Sequence, residues 1–408
     1  MDGLAKIVLG NIKLPSEKSD LLIPFLRRIK REYGDPIALV HDMGKGILAA
    51  VAAVFKDVPD FICHFHFLRD IGKDLFEAEY ATIRNRLRKH KIRPLLGSKL
   101  KELRKAIDND PEAVRVLANR IDGGCADPSI MEKMPVLAAY AMIHWTLDTS
   151  VLDGYGFPFD CPHLIFYQRV KTLRDMVNAG RIENKTLSGL WGPLTRVLED
   201  PTLKKAATQM DNKVQTFKKL REALAIAIPQ GKQGLNDDGR EEDMKNIEEK
   251  VKRFRDEILP DKDYDGMVGQ IDKYWEKLFA DAITVNTPEG RIAIQPQRTN
   301  NIMERFFRDL KRGGRRRSGT ISLNKTLKFL LADTPLVKNL DHPEYMDLLL
   351  DGCGTLEERF AKIDSHAVVE RLRAERKSRQ QVANGMRKII QRPDLPERLT
   401  QILAGQQY

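Results

Sequence analysis

A strand–loop–helix–strand pattern near the amino terminus constrains the fold more than any other part of this chain. Residues 37–40 form a short apolar run that predicts a β-strand, and this run ends just before Asp42. A glycine-containing loop follows, and residues 47–55 have the apolar composition of a buried helix. Pro59 ends that helix, and Phe61 begins a second predicted strand. The pattern predicts an α/β unit.

Asp42 is the first candidate for a functional residue because it stands at the carboxyl end of the first predicted strand. Open α/β sheets bind ligands and place catalytic groups at that end. The alternative is an aspartate that only stabilises the following turn or helix, which is common after a strand. The sequence Gly44-Lys45-Gly46 lacks the complete phosphate-loop pattern and predicts a simple turn.

From about residue 70 onward the pattern becomes helical, and few further strands are predicted. Residues 84–105 contain ten lysines and arginines and a single acid, Glu102. Residues 231–243 have the composition of a linker, and helical periodicity returns over residues 246–279. Residues 291–294 predict one more short strand.

A second candidate acid, Glu304, lies on an amphipathic helix predicted over residues 299–310. Asn300, Glu304 and Arg308 share one face of this helix at i, i+4 spacing. An ordinary ion pair between Glu304 and Arg308 is the alternative, and spacing alone favours it. An arginine cluster at residues 315–317 follows, and its position favours a phosphate contact over a solvated run of charges.

Cys63 and His66 form a C-x-x-H pair after the second predicted strand begins. Structural zinc requires four ligands, and the sequence holds no second pair at a usable spacing, so we do not expect a zinc site. A buried core thiol is the alternative for Cys63, and a structural role is the alternative for His66.

The charge of the chain favours a polyanionic partner. Lysine and arginine number 69 against 58 acids, which gives a net charge of +11. Nucleic acid is the commonest such partner, although a merely soluble basic protein fits the charge equally well. The four cysteines lie far apart without a disulfide framework, which fits a reducing cytosol. No apolar run approaches the roughly 20 residues of a membrane span. We therefore expect a cytoplasmic protein that does not contact membranes.

Three of these features occur in the order found in one family: Asp42, the Cys63-x-x-His66 pair and the sequence Arg298-Thr299-Asn300-Asn301-Ile302-Met303-Glu304-Arg305. The combination resembles the catalytic domain of Mutator-type DDE transposases of bacterial insertion sequences. In that family the second aspartate ends a strand, C-x-x-H follows, and a TN-x-x-E type helix carries the closing glutamate. The separation 304 − 42 = 262 matches a family habit of inserting a helical domain before this glutamate. The resemblance covers roughly residues 1–330.

The resemblance implies the α/β class, with an RNase H-like mixed sheet interrupted by a large all-helical insertion. The expected domains are 1–70 and 291–335 for the two parts of the catalytic domain, 71–290 for the insertion, and 336–408 for a helical basic tail.

The implied activity is metal-dependent phosphodiester hydrolysis and strand transfer at the ends of an insertion sequence. Asp42 and Glu304 would bind two Mg²⁺ or Mn²⁺ ions, since such ions prefer carboxylate oxygens. Cys63 and His66 would shape the site or contact DNA near the scissile phosphate. The other expected DNA contacts are Arg298, Asn300, Arg305, Arg315, Arg316 and Arg317. The basic segment 84–105 would form a second DNA track. The implied partners are transposon-end DNA, target DNA and further copies of this chain.

One departure from the family concerns the first of its three carboxylates, which lies on the opening strand of the fold. Here Asp2-Gly3 predicts the turn of the first hairpin and residues 4–9 its second strand, so the first strand is expected to be missing. Asp2 is a candidate for the missing ligand, but 42 − 2 = 40 residues is short for the family spacing. We expect a chain that lacks its amino-terminal part and has little or no cleavage activity alone.

Three alternative functions fit the same sequence. A non-catalytic DNA-binding protein derived from a transposase would keep the basic segments without needing the carboxylates. A metal-dependent nuclease of the same fold would cut DNA without joining ends, and a basic helical scaffold would bring no carboxylates together.

Overall fold

The computed structural model describes residues 1–107, 134–148, 155–180, 185–226, 244–287, 290–300, 307, 312, 334–367, 369 and 370. The chain divides into two compact units. The first unit consists of Met1–Glu17, Pro24–Glu32 and Ile302–Tyr408, and the second of Lys18–Ile23 and Tyr33–Asn301.

The described elements are mostly helices, with two small sheets of two strands each. In chain order they are α1 (Ser19–Tyr33), β1 (Leu39–His41), α2 (Lys45–Val54), β2 (Asp60–Ile62), α3 (His64–Lys89), α4 (Ile92–Ile107), α5 (Met134–Leu147), α6 (Pro162–Gly180), α7 (Lys185–Leu198), α8 (Pro201–Ala223), α9 (Met244–Ile258), α10 (Asp265–Leu278), β3 (Ile283–Thr287), β4 (Gly290–Ile294), α11 (Pro343–Leu350) and α12 (Leu356–Ala361). Two 3₁₀ segments, Lys262–Tyr264 and Thr334–Asp341, precede α10 and α11.

The predicted strand–helix–strand unit is confirmed. β1 pairs with β2 in parallel, with Leu39 opposite Asp60 and His41 opposite Ile62. Parallel neighbours require a crossover connection, and α2 provides it. α2 buries the face that carries Ala50, Val51 and Val54, as its apolar sequence predicts.

The predicted strand over residues 4–9 is wrong, because no strand forms anywhere in residues 1–17. The side chain of Asp2 accepts two backbone N–H groups and stabilises a turn instead. The Val8 N–H donates to Asn339 Oδ1 at 2.8 Å, and Asn339 Nδ2 donates to the Val8 carbonyl at 3.0 Å. A distant side chain therefore satisfies the peptide groups that a neighbouring strand would otherwise pair.

The core of the second unit lies around α3, which packs along α8 and also contacts α6 and α10. At Gly72 of α3, an added Cβ would lie 2.6 Å from Pro158 Cγ and 2.9 Å from Cε2 of Phe217 on α8. Only glycine permits α3 to pack so closely against Pro158 and α8, since real Cβ atoms do not make such short contacts. α3 begins at His64 and continues past residue 70, the predicted boundary between the first two domains.

A second small sheet follows α10. β3 and β4 form an antiparallel hairpin, with Ile283 opposite Ile294. β4 corresponds to the strand predicted over residues 291–294, which is confirmed, whereas β3 lies in a segment for which no strand was predicted. The burial of β3 alternates along the strand, as expected for a sheet with one covered face.

Asp200 connects the start of α8 to the turn between α3 and α4. Its carboxylate caps α8 by accepting the Leu203 N–H at 3.0 Å. It also accepts hydrogen bonds from Arg86 Nη2 at 2.9 Å and His90 Nε2 at 2.7 Å, with only 4% of its side chain exposed. Burial alone would raise the pKa of Asp200, but these hydrogen bonds outweigh it and hold the pKa well below its usual range.

Candidate functional site

The carboxyl edge of the β1–β2 sheet places Asp42 beside Cys63. Because the last residues of the two strands pair with each other, the residues that follow them leave the sheet side by side. The Cys63 N–H extends the pairing by donating to the His41 carbonyl at 2.8 Å. Two parts of the predicted motif therefore meet at the sheet edge where ligands bind in open α/β sheets.

The carboxylate of Asp42 is partly buried and lies next to the start of α2. Oδ1 accepts the Gly44 N–H at 3.3 Å, which is the contact expected of a turn aspartate. Oδ2 accepts no hydrogen bond from the residues that the structure describes. A carboxylate oxygen of this kind suits a hard divalent cation, so the catalytic and the turn interpretations of Asp42 are both compatible with its geometry.

Cys63 and His66 lie at the start of α3 and are buried. Cys63 is fully inaccessible and precedes the first helical residue, and His66 is 5% exposed. Such burial favours the interpretation that the side chains of Cys63 and His66 shape the site over the interpretation that they contact DNA. The thiols of Cys63, Cys161 and Cys353 are free, whereas Cys125 lies outside the described residues.

His64, which was not selected from the sequence, connects this edge to segments far along the chain. Its N–H donates to the Arg298 carbonyl at 2.9 Å, and its Nε2 donates to the Leu278 carbonyl at 2.7 Å. Burial, and next the charge of Arg298, lower the pKa of His64 to about 3. The only sequence signal for His64 was its place between Cys63 and His66, since its partners are more than two hundred residues away.

Arg298 is buried rather than exposed to a DNA ligand. Only 5% of the residue is accessible, and its Nη1 donates to the Leu224 carbonyl at the end of α8 at 2.7 Å. Thr299 is also buried, and Asn300 is partly buried with an inaccessible Oδ1. The position of Arg298 favours a role in holding the 298–300 segment against α3. DNA contacts by Arg298 and Asn300 remain predictions.

Asp60 is the other acid of this sheet, and it is already paired. His41 Nε2 lies 3.3 Å from Asp60 Oδ2, and Lys277 of α10 forms an ion pair with the same oxygen. Burial opposes ionisation, but the hydrogen bonds from Lys277 and His41 outweigh it and lower the pKa of Asp60. Asp60 therefore anchors α10 to the sheet and leaves Asp42 as the acid with an available oxygen.

Several predicted site residues lie outside the described part of the chain: Glu304, Arg305, Arg315, Arg316, Arg317 and most of the predicted helix 299–310. Within the described ranges, no three histidine, cysteine, aspartate or glutamate side chains group closely enough to hold a metal ion. The described residues supply one predicted ligand, Asp42, and do not complete a Mg²⁺ or Mn²⁺ site by themselves.

The burial of His64 leads to a prediction about its protonation. We expect its imidazole to stay neutral from pH 8 down to about pH 4, because its pKa is about 3 in the folded chain. An unfolded histidine takes up a proton near pH 6.5. The contribution of His64 therefore lowers the free energy of unfolding by about 2 kcal/mol between pH 7 and pH 5. NMR of ring-labelled histidines, with exposed His366 as the internal control, would measure this. A His64 midpoint near pH 6 would contradict the prediction.

No helix in the described ranges is both long enough and apolar enough to cross a membrane. Comparisons of the chain with protein-family models, with curated proteins and with solved structures gave no match.

Proposed function

We propose that this chain is a DNA transposase of the DDE type, with an RNase H-like catalytic core built around β1 and β2. One observation supports this proposal above the others: separate parts of the sequence motif lie together in space. Asp42 and Cys63 leave the sheet side by side, and the backbone of Arg298 is hydrogen-bonded to the next residue, His64. A chance similarity of scattered motifs would not require this convergence.

Glu304 is the other proposed ligand beside Asp42. The resemblance to DDE transposases, in which a TN-x-x-E type helix carries the closing glutamate, implies that these two carboxylates bind the same cations. Bound Mg²⁺ or Mn²⁺ would activate the attacking water or 3′-hydroxyl and stabilise the leaving oxygen.

The other residues receive roles that follow from their surroundings. Asp42 would present its available Oδ2 at the sheet edge, and the buried side chains of Cys63 and His66 would shape the wall beside it. His64 and Arg298 are positioning residues, because their hydrogen bonds hold the 298–300 segment in place. Arg305, Arg315, Arg316 and Arg317 would bind the DNA backbone.

The proposal includes transposon-end and target DNA as partners and association of several copies of the chain on that DNA. It also places the protein in the cytoplasm with the nucleoid. The second candidate function is a non-catalytic DNA-binding protein derived from a transposase. The exposed basic residues of α3 and α4 favour this candidate, since they could bind DNA without any carboxylate.

Binding of Mn²⁺ tests whether Asp42 and Glu304 share a site. We expect Asp42→Asn and Glu304→Gln each to weaken Mn²⁺ binding at least about tenfold, or about 1.4 kcal/mol, as measured by calorimetry or by the paramagnetic signal of free Mn²⁺. The double variant should be little weaker than either single variant, because residues that share one ion are not additive.

The matched control is Asp57→Asn. Asp57 is exposed in the loop before β2, at the opposite edge of the parallel sheet, and its replacement changes the charge equally. If Glu304→Gln binds Mn²⁺ as tightly as the unsubstituted chain, Glu304 is not a ligand of the site. Absence of Mn²⁺ binding by the unsubstituted chain would favour the non-catalytic candidate.

A further inference from the structure

The end of α3 and the start of α4 carry an exposed group of cations, which we name the α3–α4 basic surface. Its members are Arg84, Arg88, Lys89, Lys91 and Arg93, and all five are exposed. No carboxylate among the described residues forms an ion pair with any of them. A surface of unpaired like charges has a strong positive potential.

Ring contacts place Arg93, and Tyr80 one helical turn before Arg84, beside the start of α6. Tyr80, one helical turn before Arg84 on α3, contacts the ring of His163 with centroids 5.0 Å apart. The Arg93 guanidinium lies over the ring of Phe166, 4.7 Å from its centroid, and Phe166 is one turn after His163 on α6. Side chains from α3 and α4 therefore flank the first turn of α6.

The protonation of His163 agrees with this crowding of positive charge. Burial, and next the charges of Arg84, Arg93 and Arg88, lower its pKa. Three guanidinium groups therefore act on one imidazole.

The backbone that carries these cations is held in place by Asp200. Arg86 and His90 point to the start of α8 and bind the Asp200 carboxylate, whereas Arg84 and Arg88 remain exposed. Because Asp200 is buried and both of its oxygens accept hydrogen bonds, it does not neutralise the exposed cations. The surface is thus preorganised and keeps its charge.

We propose that the α3–α4 basic surface binds the phosphate backbone of duplex DNA. Guanidinium groups donate paired hydrogen bonds to phosphate oxygens, and release of counterions from the duplex favours such binding. A polyanion would also relieve the repulsion among Arg84, Arg88 and Arg93. The choice of DNA among polyanions rests on the proposed function, whereas the site itself rests on the geometry of α3, α4 and α6.

The test compares two triple variants of the full chain with the same loss of charge. One carries Arg84→Gln, Arg88→Gln and Arg93→Gln. The control carries Lys252→Gln, Lys262→Gln and Lys273→Gln, which are exposed residues of α9, the following 3₁₀ segment and α10. Lys273 is a suitable match for Arg93 because it lies over the ring of Tyr274.

Binding to a fluorescent duplex of random sequence is measured by anisotropy over a range of salt concentrations. We expect the arginine variant to lose at least about tenfold in affinity, with a salt slope smaller by about 2 to 3, since each phosphate contact contributes about 0.9. The control should change less than about threefold. A third variant with lysine at all three arginine positions should keep most of the slope. Equal slopes in the two glutamine variants would overturn the proposal.

Two further measurements separate this proposal from the proposed function. If the arginine variant loses binding to heparin or to anionic lipid vesicles but keeps DNA binding, the surface serves another polyanion and the choice of DNA is wrong. Asp42→Asn should keep the DNA affinity and salt slope while it loses Mn²⁺ binding. The results can therefore contradict DNA binding by the α3–α4 basic surface while they support the metal site, or contradict the metal site while they support DNA binding.

Discussion

Asp42→Asn should lower the weak Mn²⁺-dependent cleavage expected of this chain to the rate measured without metal, since loss of a metal-ligand carboxylate can cost about 1000-fold, or about 4 kcal/mol of transition-state stabilisation. Replacing a carboxylate by an amide removes the negative charge that holds the cation, while the side chain keeps its size. The Gly44 N–H can still donate to the remaining oxygen, so the turn that follows β1 should be preserved. Nicking of supercoiled plasmid with Mn²⁺ or Mg²⁺ measures the rate.

Two controls define what this result means. Asp57→Asn should cleave at the rate of the unsubstituted chain, and the DNA affinity of Asp42→Asn should stay within about threefold. Metal-dependent cleavage by Asp42→Asn at the rate of the unsubstituted chain, above the rate without metal, would exclude Asp42 as a metal ligand. Analysis of the products separates the remaining activities, because a transposase joins ends to a target and a nuclease only cuts.

Asp200→Ala should destabilise the second unit by about 3 kcal/mol. The substitution removes the cap of α8, worth about 1 kcal/mol, and leaves Arg86 and His90 without their acceptor. Denaturation followed by tryptophan fluorescence measures the loss, since all three tryptophans lie in this unit. Asp175→Ala is the control, because its ion pair with Arg174 is exposed and worth less than about 1 kcal/mol.

The effect of Asp200 should also depend on pH. Because its pKa is lowered in the folded chain, its stabilising contribution is present above pH 4 and is lost as the pH falls further. The difference in stability between the unsubstituted chain and Asp200→Ala should therefore be smaller at pH 3 than at pH 7. An unchanged difference would show that the interactions with Arg86 and His90 do not depend on the charge of Asp200.

Local sequence signals were sufficient where an element is defined by its own residues. The apolar run before Asp42 and the breaker Pro59 predicted β1, α2 and β2 to within a few residues. The apolar residues between 18 and 33 also recur at helical spacing, in agreement with α1 at Ser19–Tyr33.

Local sequence patterns did not predict the structure where contacts with distant residues determine it. The segment around Val8 has the composition of a strand, but Asn339 pairs its peptide groups from far along the chain. The resemblance implied a DNA contact for Arg298, and no local pattern showed that the Leu224 carbonyl binds this side chain in the interior. The position of Asp42 at a sheet edge was predictable from the sequence, but the role of His64 depends on carbonyl groups that no local pattern reveals.

The pairing of Val8 with Asn339 has a consequence for synthesis of the chain on the ribosome. These partners are 331 residues apart, and translation at about 5–20 residues per second separates their emergence by roughly 20–60 s. The residues of the second unit, which end at Asn301, are made before Asn339 appears. The intervening unit can therefore fold during translation, while the nascent amino-terminal segment remains without a partner that is made after this unit.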